Sequence, residues 1–319
     1  DETAKYGVCH EVFSKTGITG ILRGLIHYSK KSNRPDLVHL HVVTKQGLIV
    51  LWLRKFYGIP YIITEHWTGY YPENGSFNQL CKRPVIGRIS RLFTEKVFKN
   101  AAIVTAVSKD FVRQLKELHL IEKGTVLYNI VPDFFAPVSL SSAEENHDSG
   151  KKVCHFINVT CFDNKAKNLT GIVDAIRKIK DKEFIFTFIG DGKDKKMVMD
   201  YAHSHEVDDR IRFAGELEPK EVAKMMHEAS CLVLNSNYET ACVVLQEALV
   251  AGLPIISTPV GIAPEYTDHI ELIETDNPDM LAEAMEKFID NPKARYKGIE
   301  DFKESPKKLY SLYETLLHS

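Results

Sequence analysis

Short apolar runs alternate with amphipathic stretches along most of the chain. Residues 37–43, 61–64, 103–107 and 125–128 read as strands bounded by turn residues. Between them, 45–56 (ended by Gly58-Ile59-Pro60), 84–98 and a segment running from the N-cap candidate Ser108 to Leu118 carry helical spacing. Residues 139–152 are polar and turn-rich, and read as a linker. The rhythm then restarts. It predicts strands at 153–159, 184–189, 211–214, 231–234 and 254–257, and helices at 169–179, 195–205, 219–229 and 240–251. A last amphipathic helix, 305–317, aligns Leu309, Leu312, Tyr313 and Leu316 on one face. Continuously apolar strands alternating with helices predict an α/β fold of parallel sheets covered on both faces. Two such domains, 1–138 and 151–304, would meet at a cleft, with ligands bound beyond the carboxyl ends of the strands.

Composition narrows the function classes. With 319 residues, 44% of them hydrophobic and 26% charged, the chain can build two ordinary globular cores. A net charge of −2 gives no reason to expect a nucleic-acid partner, and no basic strand-like run carries the stacking aromatics of an RNA-binding sheet. The charge is uneven: 19 basic against 14 acidic residues in 1–150, and 22 against 29 afterwards. This points the first half toward something anionic. Cys9, Cys81, Cys154, Cys161, Cys231 and Cys242 form no C-x-x-C pair, and Cys154 and Cys231 fall inside strand-like runs. Reduced, packing cysteines of this kind favour a cytoplasmic location. No apolar run approaches the roughly 18 residues of a membrane span. The chain opens on Asp1 without a methionine, which points to missing upstream sequence.

Four constellations could carry chemistry. After the strand 184–189, Gly190-Asp191-Gly192 precedes a helix; it is either a tight turn or a place where an anion approaches the backbone, and it lacks the third glycine of a dinucleotide fingerprint. Lys165 and Lys167 follow the strand 153–159 at the start of a helix, as a diphosphate clamp or as a solvated basic loop. His66 closes the strand 61–64 beside Trp67, as a hydrogen-bonding or acid–base group or as a satisfied, partly buried imidazole. His39 and His41 lie on the strand 37–43 without the cysteine or carboxylate companions of a metal site, so no metal is expected. Finally, Glu239 lies at the mouth of the helix 240–251 and Glu247 about two turns further in; they are either an N-cap and a solvated helix residue or ligand-binding carboxylates. There is no G-x-S-x-G motif or other nucleophilic triad.

In order, these motifs resemble the retaining nucleotide-sugar glycosyltransferases of the GT-B fold. They are closest to the group of bacterial glycolipid and polysaccharide glycosyltransferases that carries an E-x7-E motif. The resemblance rests on Asp36–His41, Pro60–His66, Thr105–Ser108, Val126–Asn129, Lys167-Asn168, Ile189–Gly192, Arg212–Gly215, the E-x7-E pair Glu239 and Glu247, and Ala251–Gly261. It implies two Rossmann-like domains facing a central cleft, the second binding the donor, with the last helix, 305–319, packing back on the first. It implies transfer of a sugar from a UDP- or GDP-sugar, with retained configuration and no metal or other cofactor, to a glycan or lipid-linked acceptor of the cell surface. Glu247 would hold the ribose, and Glu239 and His66 the transferred sugar. Lys167, helped by Lys165, would neutralise the diphosphate. The backbone at Ala241, Cys242 and Val243 would meet sugar and phosphates, and Gly190, Gly192 and Arg212 would line the nucleotide. An epimerase of the same fold or a non-catalytic sugar-nucleotide binder are the alternatives.

Three departures stand against the pattern. Cys161 occupies the place of a usual arginine, Glu239-Thr240-Ala241-Cys242 replaces a glycine-containing run, and nothing in residues 1–35 resembles the first strand and Gly-rich loop. Separately, the basic helix within 83–99, with Arg88, Arg91 and Lys99 at helical spacing, is either a solvated face or a peripheral dock for anionic membrane.

Overall fold

The structure, a computed structural model, describes residues 18–137 and 153–318. The linker expected at 139–152 lies outside the described residues, as does the segment before Ile18. The first domain runs α1 (Ile18–Ser29), β1 (Val38–His41), α2 (Gly47–Tyr57), β2 (Tyr61–Glu65), α3 (Ser76–Cys81), α4 (Ile86–Asn100), β3 (Ile103–Ala106), α5 (Lys109–Glu117) and β4 (Thr125–Val126). Its strands pair in parallel in the order β1-β2-β3-β4. β2 is buried at every position, as its unbroken apolar run requires, and the Tyr61 hydroxyl donates to the Val97 carbonyl at 2.6 Å, joining the sheet to α4. Ser108 caps α5, its Oγ accepting from the Phe111 N–H at 3.1 Å.

The second domain runs β5 (Cys154–Val159), α6 (Asn164–Lys167), α7 (Leu169–Lys178), β6 (Phe184–Ile189), α8 (Lys195–Ser204), β7 (Ile211–Gly215), α9 (Pro219–Glu228), β8 (Cys231–Leu234), α10 (Val243–Val250), β9 (Ile255–Ser257), β10 (Ile270–Leu272) and α11 (Pro278–Asp290). All six strands are parallel, in the order β10-β9-β8-β5-β6-β7. Phe156, Phe184, Phe186 and Phe188 are buried together, filling one side of this sheet. The order reverses between β5 and β8: the chain leaves β5 toward one edge and β8 toward the other. A crevice opens at such a switch point, beyond the strands' carboxyl ends.

The last helix, α12 (Ser305–Leu317), lies against the first domain. Lys308 Nζ donates to the Val126 carbonyl at 2.7 Å, and the Tyr313 hydroxyl lies 2.6 Å from His39 Nδ1. One apolar cluster joins the domains, running from Phe111 and Phe135 to Leu249 and Phe302.

Most elements read from the pattern are present within a residue or two. The main difference is α10, which begins at Val243 rather than at 240. Cys242 adopts a left-handed backbone (φ 62°), and Ala241 is turned away to accept from the Ile262 N–H at 3.1 Å. Glu239 is therefore not the helix N-cap.

Candidate active site

The crevice is built from two loops. One follows β5 and carries Cys161, Lys165 and Lys167; the other follows β8 and carries Ser236, Glu239 and Cys242. Backbone and amide hydrogen bonds join them: Asn237 N to the Ala166 carbonyl (2.8 Å), Asn237 Nδ2 to the Lys165 carbonyl (2.9 Å) and Asn235 Nδ2 to the Asn168 carbonyl (3.2 Å). The loops bring Lys167 and Glu239 into direct contact. Lys167 Nζ donates to Glu239 Oε1, which also accepts from Ser236 Oγ at 3.0 Å. Both side chains are largely buried. Burial disfavours the Lys167 charge, but the Glu239 carboxylate outweighs it and holds the ammonium's pKa above the usual lysine value.

Lys165 turns away from this pair and donates to the Asn74 carbonyl of the first domain at 3.2 Å. The thiol of Cys161 is exposed on the Lys167 side of the loop. Gly190 and Gly192 follow β6 with φ of 127° and 155°. They are required because a Cβ at Gly190 would meet the Thr160 carbonyl oxygen at 1.9 Å, and one at Gly192 the Phe162 nitrogen at 2.6 Å. Phe162 N donates to the Asp191 carbonyl, and Asn164 N to the Asp194 carboxylate, so this glycine loop fixes the start of α6 and with it Lys167.

Glu247 lies one turn into α10. Its carboxylate has no hydrogen-bond or ion-pair partner among the described residues, and burial raises its pKa to about 7. Ahead of it, Val243 opens the helix with its side chain exposed, while Ala241 and Cys242 are buried. N–H groups of a first helical turn lack intrahelical acceptors and suit an anion. Arg212 is exposed on the edge strand β7, paired in register with Thr187 and close enough to His155 to lower that imidazole's pKa after burial does so. It lies three residues short of the strand's end at Gly215, further from the crevice than the glycine loop.

On the first domain, His66 follows β2 and its Nε2 lies 3.2 Å from His41 Nδ1. Burial and His41 lower its pKa to about 4. His39 continues the group. Its Nε2 lies 2.6 Å from Thr64 Oγ1, which meets Thr105 Oγ1, and Thr105 donates to the Ile63 carbonyl. That terminal carbonyl sets the direction of the chain: Thr64 donates to Thr105, His39 Nε2–H donates to Thr64, and His39 Nδ1 accepts from Tyr313. A neutral His39 fits the pKa of about 4 produced by burial and the neighbouring His41 and His66. Among the described residues no group of His, Cys, Asp and Glu has the arrangement of a metal site.

Several organising contacts were not read from the sequence. Buried Glu65 accepts from the N–H groups of Val43, His66 and Trp67 at 3.0 Å each, fixing the turns that carry His41 and His66. Glu265, from the second domain, accepts from the Lys109 N–H and the Tyr128 hydroxyl at 2.7 Å each. Ser108 donates to the Thr240 carbonyl at 2.5 Å, next to Glu239. Between the domains lies a cavity of about 370 Å³, lined by Tyr71, Glu73, Asp110, Arg113 and Gln114 on one side and Asn237, Tyr238, Glu239 and Gly261 on the other.

Comparison with known proteins gives this geometry a family. Residues 141–305 match the family described as glycosyl transferases group 1, and residues 15–129 match the glycosyl transferase 4-like domain. The chain belongs to the group 1 glycosyltransferases. It is 30% identical over 258 residues to an uncharacterised glycosyltransferase of Methanocaldococcus jannaschii, covering 80% of this chain and 66% of that protein. It is 24% identical over 241 residues to N-acetyl-alpha-D-glucosaminyl L-malate synthase of Bacillus anthracis, covering 73% of this chain and 59% of that enzyme. The chain thus spans less than two thirds of either relative. HepE of Anabaena, solved in complex with UDP and glucose, superposes with a TM-score of 0.66 at 16% identity, covering 86% of this chain and 72% of HepE. The fold of this glycosyltransferase is GT-B. No helix among the described residues is long and apolar enough to cross a membrane.

Proposed function

We propose that this glycosyltransferase moves a sugar from a nucleoside-diphosphate sugar to a hydroxyl of a glycan or lipid-linked acceptor in cell-surface polysaccharide or glycolipid synthesis, on the cytoplasmic side. The observation that carries this reading is the contact of Lys167 with Glu239 at the switch point of the second sheet, opening onto the interdomain cavity. A diphosphate leaving group gathers negative charge as the glycosidic bond breaks. Lys167 and the first N–H groups of α10 answer that charge from fixed positions, and the reading assigns charge compensation to them rather than to a metal ion. Glu247, a part-buried carboxylate with no partner among the described residues, takes the ribose hydroxyls. The glycine loop at Gly190 and Gly192 supports the nucleotide. Once the phosphates draw Lys167 away, Glu239 is released to bind hydroxyls of the transferred sugar, while His66 approaches it from the first domain. The UDP bound to HepE supports UDP as the nucleotide to try first, with GDP second. The acceptor enters the cavity from the side of Tyr71 and Asp110. With donor phosphate and acceptor on one face of the sugar, the anomeric configuration is retained.

Thermal denaturation with UDP, GDP and their sugars tests the reading, because a ligand bound only by the native state raises its melting temperature. A sugar nucleotide should stabilise the protein and be consumed when an acceptor is added. Stabilisation without turnover of any donor would favour a sugar-nucleotide binder, and interconversion of the sugar without transfer would favour an epimerase.

A further inference from the structure

The turn before α4 and that helix's outer face carry an apolar surface that none of the described residues covers. Val85, Ile86, Ile89 and Leu92 are 70%, 60%, 61% and 58% exposed. Val85 holds φ 61°, a conformation costly for a β-branched residue, and this turns its side chain outward. The opposite face is anchored: Thr94, Val97 and Phe98 are buried, and Gly87 sits so close to α3 that a Cβ would meet the Leu80 carbonyl oxygen at 2.3 Å. Around the apolar tip, residues 82–92 hold Lys82, Arg83, Arg88 and Arg91, all exposed, and no acid. The first carboxylate beyond them, Glu95, is paired to Arg91 at 2.7 Å.

We infer that this rigid tip inserts into the surface of an anionic lipid bilayer. The aliphatic side chains enter the acyl boundary, and the long cationic side chains reach the headgroup phosphates. Charge complementarity favours a bilayer over a protein partner: the exposed aliphatic tip has no aromatic anchor and sits among four cations without an acid, whereas the core of a protein interface is enriched in aromatics and depleted of charge. The inference goes beyond a solvated basic helix that touches a membrane by charge alone, and it stands whatever sugar the site transfers.

Co-sedimentation with phosphatidylcholine vesicles, with and without phosphatidylglycerol, tests it on the full chain. The wild type should bind the anionic vesicles and retain part of that binding at high salt. The variant Ile86→Ser/Ile89→Ser/Leu92→Ser should keep its melting temperature, since these side chains face solvent, and lose roughly tenfold or more in partitioning. Arg88→Glu/Arg91→Glu should lose binding at low salt as well. Undiminished binding by the serine variant would overturn insertion. So would a wild type that ignores anionic vesicles, or one that forms a dimer dispersed by the serine substitutions, which would mark a protein interface instead.

Discussion

Lys167 and Glu239 close an ion pair across the point where the second sheet reverses its strand order. Each neutralises the other in a largely buried setting, so on the proposed reading an incoming diphosphate must compete with Glu239 for Lys167. Replacing Glu239 with Gln removes that competitor while keeping the shape. The expected outcome is nucleoside-diphosphate affinity increased by about tenfold, or roughly 1.4 kcal/mol, together with loss of sugar transfer. Calorimetric titration with UDP or GDP checks the first part and a transfer assay the second. Unchanged affinity would mean that Lys167 does not meet the phosphates.

Removing the cation instead should be worse for the fold. Lys167→Ala leaves a buried carboxylate supported, among the described residues, by Ser236 alone, and loss of one partner of a buried pair costs roughly 3 kcal/mol. Chemical denaturation should show this cost in full at neutral pH.

The strands of this chain were legible because they are continuous apolar runs cut off by polar turns: Phe184–Ile189 and Cys231–Leu234 fall where the pattern puts them. The identity of Lys167, Glu239 and Glu247 as candidates was also legible, from motif order. Their geometry was not. The contact of Lys167 with Glu239 joins residues 72 apart and depends on which strands are neighbours, which no local spacing reports. The start of α10 was misplaced because Thr240 and Ala241 tolerate a helix. What breaks it is the close packing of Gly261 against the Ala241 carbonyl, from a segment twenty residues on. β10 has three residues, too few for a periodicity to register. α11 was not read from the pattern, although its start carries a cap signal: Asn277 accepts from the Met280 N–H, and Pro278 occupies the first turn.

With Glu247 assigned to the ribose, as proposed above, donor binding and stability should depend on pH in opposite directions. Its folded pKa, about 7, lies above the ordinary value of 4.5 because its charge is buried. Between those values the folded state keeps a proton that the unfolded state has shed, so stability falls as pH rises through the window, by about 3 kcal/mol in all. Glu247→Gln should flatten this part of the stability profile. Donor binding should show the reverse trend in the wild type, strengthening from pH 6 to 8 as the carboxylate becomes available to the ribose. A nucleotide sugar is the ligand to titrate, since it has no terminal phosphate that changes charge in this range. Equal pH slopes in wild type and variant would remove Glu247 from the nucleotide site.

Gly190 tests how far the glycine loop positions Lys167. Alanine there is opposed twice, by φ 127° and by the Thr160 carbonyl oxygen. A loss of roughly 3 kcal/mol in unfolding free energy is expected. Because the loop also holds Phe162 and Asn164, donor affinity should fall even at temperatures where the variant stays folded. A variant of wild-type stability would contradict the close approach.

Glu265 ties the second domain to the first, and on the proposed reading its removal should separate nucleotide binding from turnover. Its carboxylate accepts from the Lys109 N–H at the start of α5 and from the Tyr128 hydroxyl, and Lys109 Nζ lies 3.5 Å away. In Glu265→Ala two donors at the domain junction lose their acceptor, at a cost of roughly 2 kcal/mol. The residues assigned to the nucleotide, Lys167, Gly190 and Glu247, all belong to the second domain and keep their surroundings. Affinity for the nucleoside diphosphate should therefore change little. On the proposed reading, transfer needs the first-domain side of the cavity, at Tyr71, Asp110 and Arg113, held opposite Glu239, and Asp110 lies in the first turn of the very helix whose start Glu265 caps. The transfer rate should fall by tenfold or more while donor binding persists, on the order of what slight misplacement of reacting groups costs. Equal losses in nucleotide affinity and in rate would show instead that Glu265 supports the second domain itself.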